Sequence, residues 1–432
     1  MLLLILASFL IKILFWQSLS GIFLQIDTYG YYETGQKMYK NRIISDYSRP
    51  PVYPLLITLP AFINGRIETP VHSPEFVKDM QLIILIQIVI STVSLWFLYR
   101  ILLMIKVKKL IAYIFMLLII LNINYFGADM VLLTESLTAS WLIFTVFFSI
   151  KLLNRFSLLN LFVLTVLFLF GFLTKPFYTI FPLLILTVLN FHYRFKKVLL
   201  TSLMSLFIYF LAVFLYTGLN QQYYGFRGIS RISGYNLLGV ILKRGINMEP
   251  ARNTFLYKKI KDYRVFNREM NSFRIMEFID PSYYRNNKLL TEMNNFNAIV
   301  LSKSFPEYFL KSSLAVPRGQ LEINDTIVLP PVSSVFYYPA KILQKIYASI
   351  QYITLIVIPG FIYLSFKFFK KSPVYHAWIL MGAISACQII LSVFFSYDSF
   401  GRLISPVQPF LYLFSFYCWI AVYKYFRIYF KK

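Results

Sequence analysis

Apolar residues run along this chain in blocks of about 20, and neither an alternating nor a 3.6-residue pattern of polar positions cuts into them. A bilayer core of about 30 Å takes roughly 20 helical residues to cross, so each block predicts a transmembrane helix. About ten spans follow, near residues 8 to 26, 80 to 104, 110 to 127, 131 to 150, 156 to 173, 176 to 192, 197 to 217, 342 to 366, 374 to 396 and 402 to 424. The fifth and sixth are only just long enough, and Lys175 is the sole charge between Arg155 and Arg194. The expected fold class is all-α, a polytopic membrane helix bundle.

Three stretches break the pattern. Residues 27 to 79 contain "YYETGQKMYKNRI" and "YPLLITLPAFI", broken by Pro50, Pro51 and Pro54, which read as short helices lying at the membrane interface. Residues 218 to 341 open on a glycine-rich aromatic run, "GLNQQYYGFRGISRISGYNLLG". Helical patterns follow in "NTFLYKKIKDYRVFNREMNSFRIMEF", from Asn286 to about Ser304, and in "PEYFLKSSLAV". The third break, "SYDSFGR" at 396 to 402, joins the last two spans. The chain therefore divides into an N-terminal transmembrane module, 1 to 217, a large outer segment, 218 to 341, and C-terminal transmembrane helices, 342 to 432.

Composition agrees with this division, at 58% hydrophobic, 19% aromatic and only 14% charged. The net charge of +25 would suit a nucleic-acid binder, but its distribution argues otherwise. With a cytoplasmic amino terminus and alternating spans, the inner loops and tail hold Arg100, Lys106, Lys108, Lys109, Lys151, Arg155, Arg194, Lys196, Lys197, Lys367, Lys370, Lys371, Lys424, Arg427, Lys431 and Lys432, and no acid. All 18 Asp and Glu residues then fall in the outer half of the membrane or outside it. That is the positive-inside distribution, so basicity reports topology in a plasma membrane, with both termini cytoplasmic, and not nucleic acid. The outer segment, with 17 basic and nine acidic residues, leans positive and reads as a solvated cap or as a lid over an anionic lipid-linked substrate. The first span has no basic n-region and no small-x-small cleavage pattern, so it reads as an uncleaved anchor in which Lys12 snorkels to the inner edge. Cys387 and Cys418 both fall in spans, which supports neither a disulfide framework nor a cysteine metal site.

This topology sends the unusual polar residues to one face: Asp27 after the first span, Arg49 and Tyr53 in the first loop, Asp129 and Glu135 at the fourth span, Lys175 between the fifth and sixth, and Asp398 and Arg402 before the last. Charges at span boundaries are costly, so each stands as a functional candidate. Each also has a bland alternative: Arg402 pairing with Asp398, Glu135 capping its helix, Lys175 snorkelling. Carboxylates beside arginine and lysine suit a reaction in which an acceptor hydroxyl or amine loses a proton while a phosphate leaves. The acid orients and deprotonates the acceptor; the cations grip the donor phosphate and stabilise its growing charge. A divalent cation on Asp27, Glu135 and His72 is a further candidate, though no single element carries a ligand spacing for it.

In order, Asp27, then "RPPVYPLL", "LLTESLTASWL", "GFLTKPFYTIFPLL" and "GRLISPVQPFLYLF" resemble the polytopic glycosyltransferases of the C superfamily, in the bacterial branch similar to aminoarabinose and protein O-mannosyl transferases. The resemblance covers residues 1 to about 215 and 340 to 425. It implies transfer of a sugar from a polyprenyl-phosphate donor to a lipid, glycan or protein acceptor on the extracytoplasmic side. It also implies Asp27 as base, Glu135 or Asp129 as second acid, and Lys175 and Arg402 at the donor phosphate. Arg49 and Tyr53 would shape the pocket and Asp398 would belong to the binding face. Thr28 stands where several branches carry a second adjacent acid, and Lys175 where arginine is common. A transporter or flippase for a lipid-linked glycan, a glycan polymerase or ligase, and an inactive envelope scaffold are the competing classes. A transporter would place polar groups at the membrane midplane and on both sides of it.

Overall fold

A computed structural model describes residues 1–193, 196–266, 271–324, 326–366 and 372–429. Of the cations that the sequence pattern assigns to inner loops and tail, Arg194, Lys367, Lys370, Lys371, Lys431 and Lys432 lie outside the described residues. Every named element is helical; among the described residues no strand forms, and an isolated bridge pairs Phe23 with Val131.

The N-terminal part comprises α1 (Leu2–Ser18), α2 (Ile26–Asn41), α3 (Val52–Ile63), α4 (Pro74–Met104), α5 (Lys109–Ile120), α6 (Ile123–Phe126), α7 (Thr134–Asn154), α8 (Leu158–Thr174), α9 (Phe181–Tyr193) and α10 (Lys196–Tyr224). The stretch expected from the sequence to be the outer segment, and called so below, carries α11 (Ile232–Lys243), α12 (Phe255–Phe266), α13 (Ser272–Ile279), α14 (Asn287–Lys303) and α15 (Phe305–Leu321). The chain closes with α16 (Tyr337–Gln351), α17 (Val357–Ser365), α18 (Pro373–Phe395), α19 (Phe400–Ile404) and α20 (Gln408–Tyr429). Among the described residues, seven helical stretches are long and apolar enough to cross a membrane, eight if α5 and the segment Ile123–Met130, bent by 56° from it, form one broken span. That is the architecture of a multi-pass membrane protein. The 17-residue helices α1 and α8 are apolar but shorter.

Helix α7 and the α18 and α20 stretches are buried along most of their length, whereas α10 and the α16 and α17 stretch expose most of theirs. The bundle core accordingly gathers Leu98, Met116, Leu142, Phe172, Ile185, Ile384 and Phe410. A second core, around Tyr235, Leu238, Ile260, Met293 and Phe296, belongs to the outer segment and rests on Phe394 and Tyr397.

The largest departure from the sequence pattern is at the first span. Helix α1 stops at Ser18, well short of residue 26, and Ile22 to Leu24 run on outside it, where Phe23 bridges Val131. A new helix then starts at a capping box in which Gln25 and Thr28 satisfy each other's backbone donors. Asp27 therefore sits in the first turn of α2 and not at the exit of a span, so the helix dipole favours its negative charge. Helices α2 and α3 cross closely because position 35 lacks a side chain: a Cβ on Gly35 would lie 2.2 Å from the Pro54 carbonyl oxygen.

Candidate functional site

Four distant parts of the chain deliver charge to one place. Asp27 accepts from Arg49 through one carboxylate oxygen, Nη2 to Oδ1 at 2.8 Å, and from Arg402 through the other, Nη1 to Oδ2 at 2.9 Å. Arg402 also reaches Glu135, Nε to Oε1 at 3.6 Å, and the same Glu135 oxygen accepts from Lys175 at 3.0 Å. Two acids thus face three cations in one connected cluster. Exposure grades outward, from 4% for the Glu135 side chain through 13% for Lys175 and Arg49 and 22% for Arg402 to 35% for Asp27. Burial would push the Asp27 carboxyl up, but Arg49 and then Arg402 outweigh it and hold it well below the usual carboxylate range.

Local sequence explains each placement. Arg49 follows a turn in which the buried Asp46 carboxylate accepts from the backbone N–H of Ser48, at 2.7 Å, and of Arg49, at 3.1 Å. Its guanidinium lies over the Tyr31 ring, 4.0 Å from the centroid. Tyr31 is braced edge-on by Tyr53, with ring centroids 4.9 Å apart. Tyr53 itself is fully buried and donates to Gln87 at 2.9 Å, so it supports the wall from behind and does not line the cluster. Glu135 lies in the first turn of α7, again at a positive helix end. Lys175 precedes Pro176, which restricts it to an extended backbone; at φ −152° and ψ 122° it ends α8 and turns back toward α7. Arg402 is carried by α19, entered through Ser399 at φ 56°. Gly401 admits the backbone at Ile323, since a Cβ there would stand 2.2 Å from the Ile323 carbonyl oxygen.

Besides Tyr53, the expected residues Asp129, Asp398 and His72 lie elsewhere. Asp129 is not beside Glu135: its carboxylate accepts from Lys12 at 2.7 Å, from Ser91 at 2.6 Å and from Ser136, in a pocket where Lys12 and Asp129 are 2% and 3% exposed. Lys12 consequently does not snorkel, because a buried partner lies within reach of its ammonium. Asp398 does not pair with Arg402 but with Lys243 of the outer segment, at 3.3 Å and largely exposed, since the left-handed turn at Ser399 separates their directions. His72 meets the Tyr29 hydroxyl at 3.1 Å and joins neither acid. Among the described residues no three of His, Cys, Asp and Glu group as a metal site, and both acids of the cluster already face cations, so this donor set does not fit a divalent ion.

Other contributors carry no sequence motif. Tyr284, from the outer segment, stands within electrostatic reach of Arg49 and Asp27. Arg231 fastens that segment to the first loop: its backbone N–H donates to the Tyr47 carbonyl at 2.8 Å, its guanidinium donates to the Tyr284 carbonyl, and Ser230 donates to the Ser48 carbonyl. Gly30 lies one turn beyond Asp27, and a Cβ on it would stand 2.9 Å from both Nε and Nη2 of Arg49. The i, i+3 spacing of Asp27 and Gly30 was the one signal available for it. Gly30→Ala is expected to displace the Arg49 guanidinium from Asp27 with little change in thermal stability, because the added Cβ meets the far end of a long side chain. A structure of the variant beside a melting curve checks this. Hollows of about 420 Å³ beside Lys40 and Arg66, and of about 370 Å³ beside Tyr257 and Arg264, lie apart from the cluster.

No protein-family model, no curated protein and no solved structure matches the chain.

Proposed function

We propose that the chain is a membrane glycosyltransferase that crosses the bilayer about ten times, with both termini cytoplasmic, and moves a sugar from a polyprenyl-phosphate donor to a lipid, glycan or protein acceptor at its extracytoplasmic face. The observation that carries the reading is the junction of Asp27 with Arg49 and Arg402, continued through Glu135 to Lys175. A base and a set of phosphate-binding cations are what transfer from a sugar phosphate requires. The strip of cations without acids on the inner loops supports the orientation.

In this mechanism the acceptor hydroxyl loses its proton to Asp27 as its oxygen bonds to the sugar C1. The bond from C1 to the phosphate oxygen breaks, and its electron pair stays on the phosphate, where Arg49 and Arg402 stabilise the new charge. Glu135 orients Lys175 and the Arg402 Nε edge from behind. The outer segment, tied down by Arg231, limits water over the cluster. Mass spectrometry of envelope lipids and glycans from deletion cells, with and without the wild-type chain restored, tests the reading. A single sugar missing without the chain and regained with it is expected; an unchanged profile refutes it.

A further inference from the structure

We propose that Asp27 is the resting occupant of an anion site: the phosphate of an incoming isoprenyl-phosphate sugar displaces its carboxylate from Arg49 and Arg402, and only then does Asp27 work as a base. This rests on the glycosyltransferase reading and adds an order of events to it.

Three features of the cluster point to the exchange. Both Asp27 oxygens are taken, each by a different arginine, so as found the carboxylate is doubly held and poorly placed to receive a proton. Arginine forks suit phosphate at least as well as carboxylate, and Asp27 is the most exposed of the five groups, the one free to swing out. The fixed groups are Arg49, held over the Tyr31 ring, and Glu135, which is buried against Lys175.

Charge is the second feature. Three cations against two carboxylates leave one positive charge in a site that is largely shielded from water. A sugar phosphodiester carries one negative charge and cancels it. As the bond to C1 breaks, the phosphate gains a second negative charge while Asp27 takes up the acceptor proton and loses its own. The cluster is neutral before and after transfer, so no net charge is created in a poorly solvated place.

The third feature is unspent hydrogen-bonding capacity. Among the described residues the buried Arg402 Nε has no hydrogen-bond partner, the Glu135 oxygen beside it being 3.6 Å away, and the buried Glu135 Oε2 has none either. Such orphans are costly unless a ligand completes them. A phosphate oxygen fits Arg402 Nε, and a sugar hydroxyl fits Glu135 Oε2. With the arginines turned to phosphate, the burial that raises the Asp27 carboxyl is no longer outweighed, which makes it a stronger base at the moment one is needed.

The experiment is equilibrium binding of farnesyl phosphate, which carries no sugar, to the full chain in detergent, with inorganic phosphate as a second probe. Removing the competing carboxylate frees the arginines, so Asp27→Asn is expected to bind farnesyl phosphate about tenfold more tightly than wild type, and Arg402→Gln about tenfold more weakly. Asp27→Ser serves in the same way should the amide variant not fold. Unchanged or weaker binding by both Asp27 variants overturns the proposal, as does failure of every form to bind farnesyl phosphate. Tighter binding of inorganic phosphate by the same variants shows that the site reads the anion, and a response to farnesyl phosphate alone shows that it also reads the isoprenyl chain. Tighter binding together with no sugar transfer by wild type in reconstituted membranes would retain the anion site and remove the glycosyltransferase reading. Transfer with no gain in affinity would do the reverse.

Discussion

Asp27→Asn is expected to lower sugar transfer by about 100- to 10,000-fold while the chain still inserts and folds. The amide keeps the shape of the carboxylate and can still accept from one arginine, so the contacts of α2 with the first loop survive, but it cannot take the acceptor proton. Its kinetic signature separates a base from a mere counter-ion. If the arginines are released by the substitution, KM for the donor falls along with kcat, whereas loss of a purely structural anchor raises KM and lowers the melting temperature. The pH dependence has a fixed sign. The folded-state pKa of Asp27 is depressed, with Arg49 and Arg402 outweighing burial, so the stability that its ionised form contributes is present above the ordinary carboxylate range. It is lost only as pH falls through the depressed value. Between about pH 5 and pH 8 the difference in melting temperature between wild type and Asp27→Asn is therefore expected to stay constant. A difference that shrinks steadily across that interval would show that Asp27 titrates there and is not clamped as described.

Much of this arrangement could be read before the fold was known, because burying charge in lipid is costly enough to leave a mark on the sequence. Asp27, Glu135, Lys175 and Arg402 stand out as charges at the ends of apolar blocks, and they meet. What could not be read is which charge meets which. Arg402 lies four residues from Asp398 and 375 from Asp27, yet the turn at Ser399 directs it to the distant acid. Hydropathy could not place the end of α1 either, since Ile22 to Leu24 are as apolar as a helix interior; Gln25 and Thr28 start α2 through hydrogen bonds that an apolarity scale does not count. Lys12 was misleading for a related reason: an isolated lysine near a helix end snorkels unless the fold supplies an acid, and Asp129 comes from a segment that bends back into the bundle. Tyr284 and Arg231 sit in a segment whose glycines and aromatics announce a loop but not its target.

Asp129→Ala is expected to destabilise the protein by roughly 3–5 kcal/mol, because it leaves a buried ammonium without its counter-ion. Lys12 and Asp129 are 2% and 3% exposed, and among the described residues the ammonium meets the carboxylate and the Ser91 hydroxyl, at 2.7 Å each. Truncating the acid leaves a positive charge buried among apolar helices with one neutral partner, and it strips Ser136 of its acceptor. Replacing both members, as in Lys12→Met with Asp129→Leu, removes the two charges together and lets Ser91 keep its bond to the Ile88 carbonyl. The double variant is therefore expected to be more stable than Asp129→Ala, although it lacks more of the native contacts. Unfolding of the detergent-solubilised forms, followed as a double-mutant cycle, reads the coupling directly; equal losses in the single and double variants would show that the pair does not act as a unit. The same cycle bears on the charged cluster around Asp27. Gln87 donates to the Asp129 and Val131 carbonyls, at 3.0 and 3.1 Å, and also accepts from Tyr53, whose ring braces Tyr31 beneath Arg49. The segment that Lys12 holds by its acid thus leads both to Glu135 and to the wall behind Arg49. A double variant that regains stability without regaining transfer would mean that the buried pair sets the position of that segment, and not only its persistence.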